Sequence, residues 1–266
     1  MTDAPVFAPG ILAGHHALVT GGGTGIGYAI ARELGGLGAT ITIAARTASR
    51  LKDAADALKA DGIDAAWHTV NIRKEAEVES LYDAVVAQRG MPDILVNNAG
   101  GQFGAKALDI SPNGFRAVID LNVQGTWHMA RAHAQRLIAA GRSGRIVNIV
   151  FCDTDGMPYF AHAAAARAAV VNLTKTLAME WGHKGILVNA VGPGPIETPA
   201  IAQYTGAMAS GQRLGKLPVP RMGTPRECAL AVAFLCSAAG DYITGALLPV
   251  DGGSALVGRD LPGDAS

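Results

Sequence analysis

Nothing in this 266-residue chain favours an electrostatic partner: Lys and Arg total 22, Asp and Glu total 22, and the formal net charge is zero. Such a balance sets up no overall field toward nucleic acid or an anionic membrane, and neither is expected as a partner. Cysteine is scarce. Cys152, Cys228 and Cys236 show no C-x-x-C spacing and leave one thiol over in any disulfide scheme, which reads as a reduced, intracellular protein. No apolar run nears the ~20 residues that a membrane helix needs. Residues 1–9 lack a basic region followed by an apolar one, so no secretory signal is visible. The closing Gly263-Asp264-Ala265-Ser266 is not an S-K-L-type peroxisomal address, and the expected location is the cytoplasm. The histidines make no metal set: His15 and His16 precede the first strand, His128 and His133 stand five apart, and H-E-x-x-H is absent. No linker, repeat or low-complexity block divides the chain, so residues 1–266 are expected to form one domain with a sizeable core.

What is present is an alternation of short β-rich runs with longer helical patterns, the signature of βαβ units on a parallel sheet. Strands are expected at Ala17–Thr20, Thr40–Ala44, Ala65–Val70, Ile94–Asn97, Arg145–Val150, Leu187–Val191 and Leu247–Val250. Several are almost wholly apolar, as strands covered on both faces should be. Helices are expected over Thr47–Ala60 and Glu75–Gln88, with longer ones at about Asn113–Ala140 and Ala161–His183. The stretch Pro193–Ser210, rich in Gly, Pro and Ala, is weakly patterned and falls where a segment would cover a site at the strand carboxyl ends.

The glycine-rich loop Thr20-Gly21-Gly22-Gly23-Thr24-Gly25-Ile26-Gly27 follows the first strand and opens a helix. Glycines there permit a tight turn and let backbone N–H groups approach a pyrophosphate at the positive helix end. The spacing is not G-x-G-x-x-G, and its place between strand and helix is what separates it from an ordinary turn. Strand two ends Ile43-Ala44-Ala45-Arg46. An acidic residue there would bind a ribose 2′-hydroxyl, whereas an arginine accommodates a 2′-phosphate. Ala45 stands in the acidic slot and Arg46 beside it, so NADP(H) is favoured over NAD(H). The other reading of Arg46 is a solvated residue at a helix start.

The loop at Thr20–Gly27, Asn97-Asn98-Ala99-Gly100, Asn122, Pro193-Gly194-Pro195-Ile196-Glu197-Thr198, Ile243-Thr244-Gly245 and Asp251-Gly252-Gly253 together resemble the short-chain dehydrogenase/reductase family. The likeness spans residues ~11–255. It implies a Rossmann-like, doubly wound parallel sheet of seven strands with helices on both faces, and commonly a homotetramer. It also implies cofactor contacts at Thr20, Gly21, Gly23, Thr24, Gly25, Ile26, Gly27, Arg46, Asn71, Ile72, Asn98, Ala99, Gly100, Arg167, Pro193, Gly194, Ile196 and Thr198. Ala8 through Leu12, Gly100-Gly101-Gln102-Phe103, Ala165 through Ala168 and Asn172 through Trp181 look like trans-2-enoyl-CoA reductases, and related 2,4-dienoyl-CoA reductases share Glu180-Trp181-Gly182 and Pro193-Gly194-Pro195-Ile196. Other bacterial proteins of this look are described as terpenoid alcohol dehydrogenases.

The chain departs from the family at its catalytic positions. Asn122 matches the asparagine of the usual tetrad, but the tyrosine position is Ala163, the lysine position is Arg167, and Val150-Phe151-Cys152-Asp153 offers no serine. Arg167 is assigned to cofactor binding and electrostatics, because guanidinium does not release a proton in water. A surface arginine is its alternative. Ketone reduction demands a proton on oxygen from a positioned acid. Enoyl-thioester reduction puts hydride on Cβ, charge on the thioester oxygen and the proton on Cα, so it needs donors to an oxyanion instead. The expected function is therefore an NADP(H)-dependent oxidoreductase of a trans-2-enoyl-CoA-type substrate. The alternatives are an alcohol or hydroxyacyl dehydrogenase with an unconventional acid, and an inactive NADP-binding protein.

His162, at the start of the long helix, is a candidate donor or proton relay, with a purely structural histidine as the alternative. Tyr159, in a Gly-Met-Pro-Tyr turn, reaches substrate only if that turn folds inward. Asp153 and Asp155 read as turn-formers, Cys152 as a small buried residue, and Gln102 as either a substrate contact or a solvated amide. Arg213, Lys216 and Arg221 are the candidates for coenzyme A phosphates.

Overall fold

Alternation along each strand decides which helices it meets. In β1 (His16–Thr20), Ala17 and Val19 face one helical layer and Leu18 faces the other, all without exposed surface. The same division recurs in β2 (Thr40–Ala45), β4 (Ile94–Asn97) and β5 (Gly144–Ile149). With β3 (Ala65–Thr69), β6 (Ile186–Pro193) and β7 (Leu247–Val250) they pair in parallel, in the order β3-β2-β1-β4-β5-β6-β7. The computed structural model describes residues 6–151, 156–199 and 214–257. It bears out the doubly wound α/β architecture read from the sequence.

Helices α1 (Gly25–Gly36), α2 (Ala48–Ala60) and α7 (Pro225–Cys236) cover one face. The other face carries α3 (Glu75–Arg89), α5 (Gly125–Ala139) and α6 (Ala161–Trp181), with α4 (Pro112–Ile119) packed on α6. Helix α7 had a readable start: the Thr224 hydroxyl accepts from Glu227 N–H while the Glu227 carboxylate accepts from Thr224 N–H, a capping box with Pro225 at the first turn.

Strand limits lie within a residue of those expected, except that β6 runs on to Pro193 because Gly192 and Pro193 pair with Pro249 and Val250. The long helix expected over Asn113–Ala140 is interrupted. Residues Asp120–Gln124 form a π-turn between α4 and α5, with Asn122 buried inside it. The widened turn frees Asn122 Nδ2 to donate to both Gly101 O and Val118 O at 2.8 Å, a tertiary demand that helical periodicity does not encode. Helix α6 likewise gives way to a 3₁₀ turn at Gly182–Lys184. Strand order reverses between β1 and β4, and such a switch point opens a crevice at the strand carboxyl ends.

Candidate active site

The crevice is a cleft of about 390 Å³ lined by the glycine loop, the ends of β2 and β3, and the Asn98–Gly100 turn. Thr20 and Asn98 hold its floor together. Thr20 Oγ1 donates to Val96 O and accepts from Asn98 N–H and Ala99 N–H, and Asn98 Nδ2 donates to Thr20 O and Gly21 O. Gly21 adopts φ +66°, and a Cβ on Gly27 would collide with the Gly21 carbonyl, so α1 can pack this tightly on β1 only with glycine there. Gly23 and Gly25 differ: they line the cleft, and a Cβ on either meets nothing closer than 3.6 Å. The first turn of α1 has no acidic residue, and the Thr24 side chain does not cap it, which leaves helix N–H groups for an anion.

Ala45 at the end of β2, Arg46, Thr47 and Arg50 after it, and Asn71 and Ile72 after β3 also line the cleft. Arg50 escaped the sequence reading. It stands in the first turn of α2, and nothing in its spacing set it apart from a solvated residue. Of the other expected cofactor residues, Gly21, Thr24, Ile26, Ala99, Gly100 and Thr198 line the cleft. Thr20 and Gly27 support it from behind, and Pro193, Gly194 and Ile196 build a hook beside it. Gly194 N–H donates to Val250 O, Gly223 N–H to Pro195 O, and Glu197 N–H to Gly223 O, which presents Thr198 to Gly25.

The candidate catalytic residues stand in a row. Arg167 is buried, which removes the surface-arginine reading: Nη1 donates to Ile149 O at 2.8 Å, the guanidinium lies over the Phe151 ring, and Nη2 abuts Gly100. Asn122 Oδ1 accepts from Gly101 N–H, so its amide fixes the turn that carries Gly100. Ala163 is buried and has no polar side chain. His162 has no exposed surface; Nδ1 accepts from Ala163 N–H at 2.8 Å, and Nε2 has no partner among the described residues. With Nδ1 accepting, Nε2 carries the proton. Desolvation lowers the pKa of the ring, opposed in part by the Phe160 carbonyl, so the imidazole is neutral. Phe103 stacks edge-on against it, with ring centroids 4.3 Å apart. Tyr159 lies further out and is partly exposed, and Gln102 is half-buried on the Gly101–Phe103 loop.

Other candidates fall elsewhere. Arg221 donates from Nη1 and Nη2 to the Glu227 carboxylate at 3.0 and 2.7 Å, which braces the hook. That guanidinium, with help from Thr224, holds the Glu227 pKa down at about 2. Lys216 is exposed outside the cleft lining, and Arg213, Cys152, Asp153, Asp155 and 200–210 of the weakly patterned stretch lie outside the described residues. His128 Nδ1 lies 2.9 Å from Ile72 O, and His133 is enclosed in the core. Among the described residues no group of three His, Cys, Asp or Glu could hold a metal ion, and no helix is long and apolar enough to cross a membrane. Burial pushes the Cys228 and Cys236 thiols up to about 12, which leaves them unreactive.

Comparison with known proteins agrees with this geometry. Residues 21–255 match the family model described as enoyl-(acyl carrier protein) reductase. The chain is 37% identical to the peroxisomal 2,4-dienoyl-CoA reductase [(3E)-enoyl-CoA-producing] of Arabidopsis thaliana, over 99% of this chain and 92% of that protein. Among solved structures it is similar to a citronellol catabolism dehydrogenase of Pseudomonas aeruginosa (TM-score 0.84, 36% identity, covering 94% of this chain and 98% of that one). A gluconate 5-dehydrogenase from Burkholderia cenocepacia, in complex with NADP and tartrate, gives TM-score 0.87 and 35% identity, covering 93% and 97%. With the glycine loop, the seven-stranded sheet and these near-full-length likenesses in place, the chain belongs to the short-chain dehydrogenase/reductase family of oxidoreductases.

Proposed function

We propose that this chain is an NADP(H)-dependent reductase of conjugated acyl-CoA thioesters of the trans-2-enoyl type. The observation that carries the reading is the replacement of the family's proton-transferring tyrosine by buried Ala163, next to a buried guanidinium that cannot act as an acid. A ketone reduced here would leave an alkoxide without a proton source in the usual place. A conjugated thioester passes its charge to the carbonyl oxygen, where hydrogen-bond donors suffice, and takes its proton at Cα.

NADPH, when bound, supplies the hydride. The chain's part is to hold and to polarise. Arg46 and Arg50 form no hydrogen bond or ion pair among the described residues, and both line the cleft where a 2′-phosphate would sit. Gly23, Gly25 and the N-terminus of α1 take the pyrophosphate, and Asn71 and Ile72 flank the base. Arg167, pinned by Ile149 and Phe151 against Gly100, binds the ribose and places positive charge beside the reacting end. Asn122 keeps the Gly100–Gly101 backbone in place for it, and the neutral His162 ring offers Nε2–H as a donor once Phe103 moves aside.

A second reading, oxidation of a terpenoid-type alcohol, is favoured only by the likeness to the citronellol catabolism dehydrogenase. A binding protein without turnover is the third. A single domain over residues 1–266, homotetrameric assembly and a cytoplasmic location belong to the same proposal. Exposed Phe115 on α4 and Trp127 on α5 give a surface of the kind that subunits bury. The test is NADPH and NADH consumption with trans-2-enoyl-CoAs and 2,4-dienoyl-CoAs of several lengths, beside matched ketones, aldehydes and alcohols, with the product identified. Loss of the conjugated bond with NADPH is the expected result. Turnover confined to alcohols or aldehydes replaces it with the second reading, and bound but unoxidised NADPH with the third.

A further inference from the structure

The loop after β4 lies along the start of α6 in reverse order. Gly100 abuts Arg167, Phe103 stacks on His162, Gly104 approaches the Phe160 ring, and Ala105 N–H donates to Tyr159 O at 2.9 Å. Gly100 lines the cleft, and the row runs from it to Tyr159, which is partly exposed.

Among the described residues Tyr159 is the one non-glycine with positive φ, at 68°. A bulky side chain in that region is strained, and it persists only where its surroundings over-determine the backbone. Here they do: besides the Ala105 bond, Phe160 N–H donates to Met157 O at 3.1 Å, and the Phe160 ring is buried against Gly104. Glycine or asparagine would fit this turn without strain, so the turn itself does not call for tyrosine. What tyrosine adds is its ring. The residue is 38% exposed while Phe160, His162 and Ala163 beside it are buried, and its hydroxyl makes no hydrogen bond among the described residues.

We propose that Tyr159 is a catalytic residue: its phenol donates a hydrogen bond to the substrate's thioester oxygen, from the turn before α6 rather than from position 163 within it. The assignment rests on the reductase reading above. As hydride adds to Cβ, the C=C electrons move toward the carbonyl and the oxygen gains negative charge, which the Tyr159 O–H stabilises while keeping its own proton. A proton from water then forms the Cα–H bond, and the thioester is restored with one C=C reduced. The oxygen lies at the far end of the conjugated system from the carbon that receives hydride.

The test compares wild type, Tyr159→Phe and Tyr159→Gly in enoyl-CoA turnover, NADPH affinity and Tm. Tyr159→Phe, which removes only the hydroxyl, is expected to lower kcat by ~10- to 100-fold with NADPH affinity and Tm unchanged. Tyr159→Gly is expected to match that kcat while raising Tm, because strain is relieved. Unchanged kcat in Tyr159→Phe overturns the assignment, whether or not Tyr159→Gly is impaired. Failure of the reductase reading is distinguishable, because it shows as a wild type that binds NADPH and reduces no enoyl thioester.

Discussion

His133, midway along α5, sets an acid limit on the fold. Its side chain has no exposed surface, its ring lies 5.9 Å from that of Tyr82, and neither ring nitrogen has a hydrogen-bond partner among the described residues. Desolvation lowers its pKa to about 3, with Asp93 pulling weakly upward and His16 and Arg142 adding to the depression. In the unfolded chain the same ring takes up its proton near pH ~6.5. Between these values the unfolded state binds more protons than the folded one. Stability is therefore full above the unfolded value and declines as pH falls, by about 1.4 kcal/mol per pH unit, until the folded value is reached. From pH ~6.5 to ~5 that removes about 2 kcal/mol, out of the ~5–15 kcal/mol that a domain has. His133→Leu keeps the volume roughly constant and removes two orphaned nitrogens. At neutral pH its stability should lie within ~1 kcal/mol of wild type or above it. Its advantage should then grow as pH falls, at about 1.4 kcal/mol per unit. Urea unfolding of both proteins at a fixed concentration, at steps from neutral to mildly acidic pH, measures the difference. His16, a second buried histidine with a lowered pKa, is present in both proteins, so its own desolvation is common to them. Stability curves that stay parallel across that range would refute the reasoning.

Two further substitutions probe the cleft. A Cβ on Gly100 would collide with Arg167 Nη2 and lie 2.7 Å from Asn122 Oδ1, and Arg167 cannot retreat without losing Ile149 O. Gly100→Ala should therefore weaken NADPH binding about tenfold and lower stability by ~1–3 kcal/mol, read by calorimetric titration and thermal melting. An unaltered NADPH affinity would detach Arg167 from the cofactor. Arg46→Ala and Arg50→Ala should each raise the NADPH Kd by about tenfold or more and leave the NADH Kd alone, since each removes a charge-assisted contact worth ~1.5–3 kcal/mol. Equal losses for both cofactors would mean that neither guanidinium reads the 2′-phosphate.

The sheet was legible because its strands are covered on both faces, so Ile41, Ile43, Leu95, Val96 and their neighbours appear as short, nearly continuous apolar runs. The glycine loop was legible for a different reason, since Gly21 and Gly27 answer local steric demands that no other residue meets. Arg50 was not, because a charged residue on the polar face of α2 looks like any solvated one until the cleft wall is seen. The π-turn at Asn122 was also hidden: it arises from a bond to Gly101, 21 residues away. The row at the start of α6 shows the deeper limit. Sequence spacing orders Tyr159, His162 and Arg167 along the helix start but says nothing of what lies across from them. That is set by the loop after β4, which covers His162 with Phe103, fixes the Tyr159 backbone through Ala105 and leaves the phenol open. In ketone reduction the oxygen is bonded to the carbon that receives hydride, so its acid must stand beside the cofactor, where this chain has Ala163. A conjugated thioester carries the charge away from that carbon before a donor is needed. With a buried alanine in that place, the proposed second chemistry asks less of this site than the first.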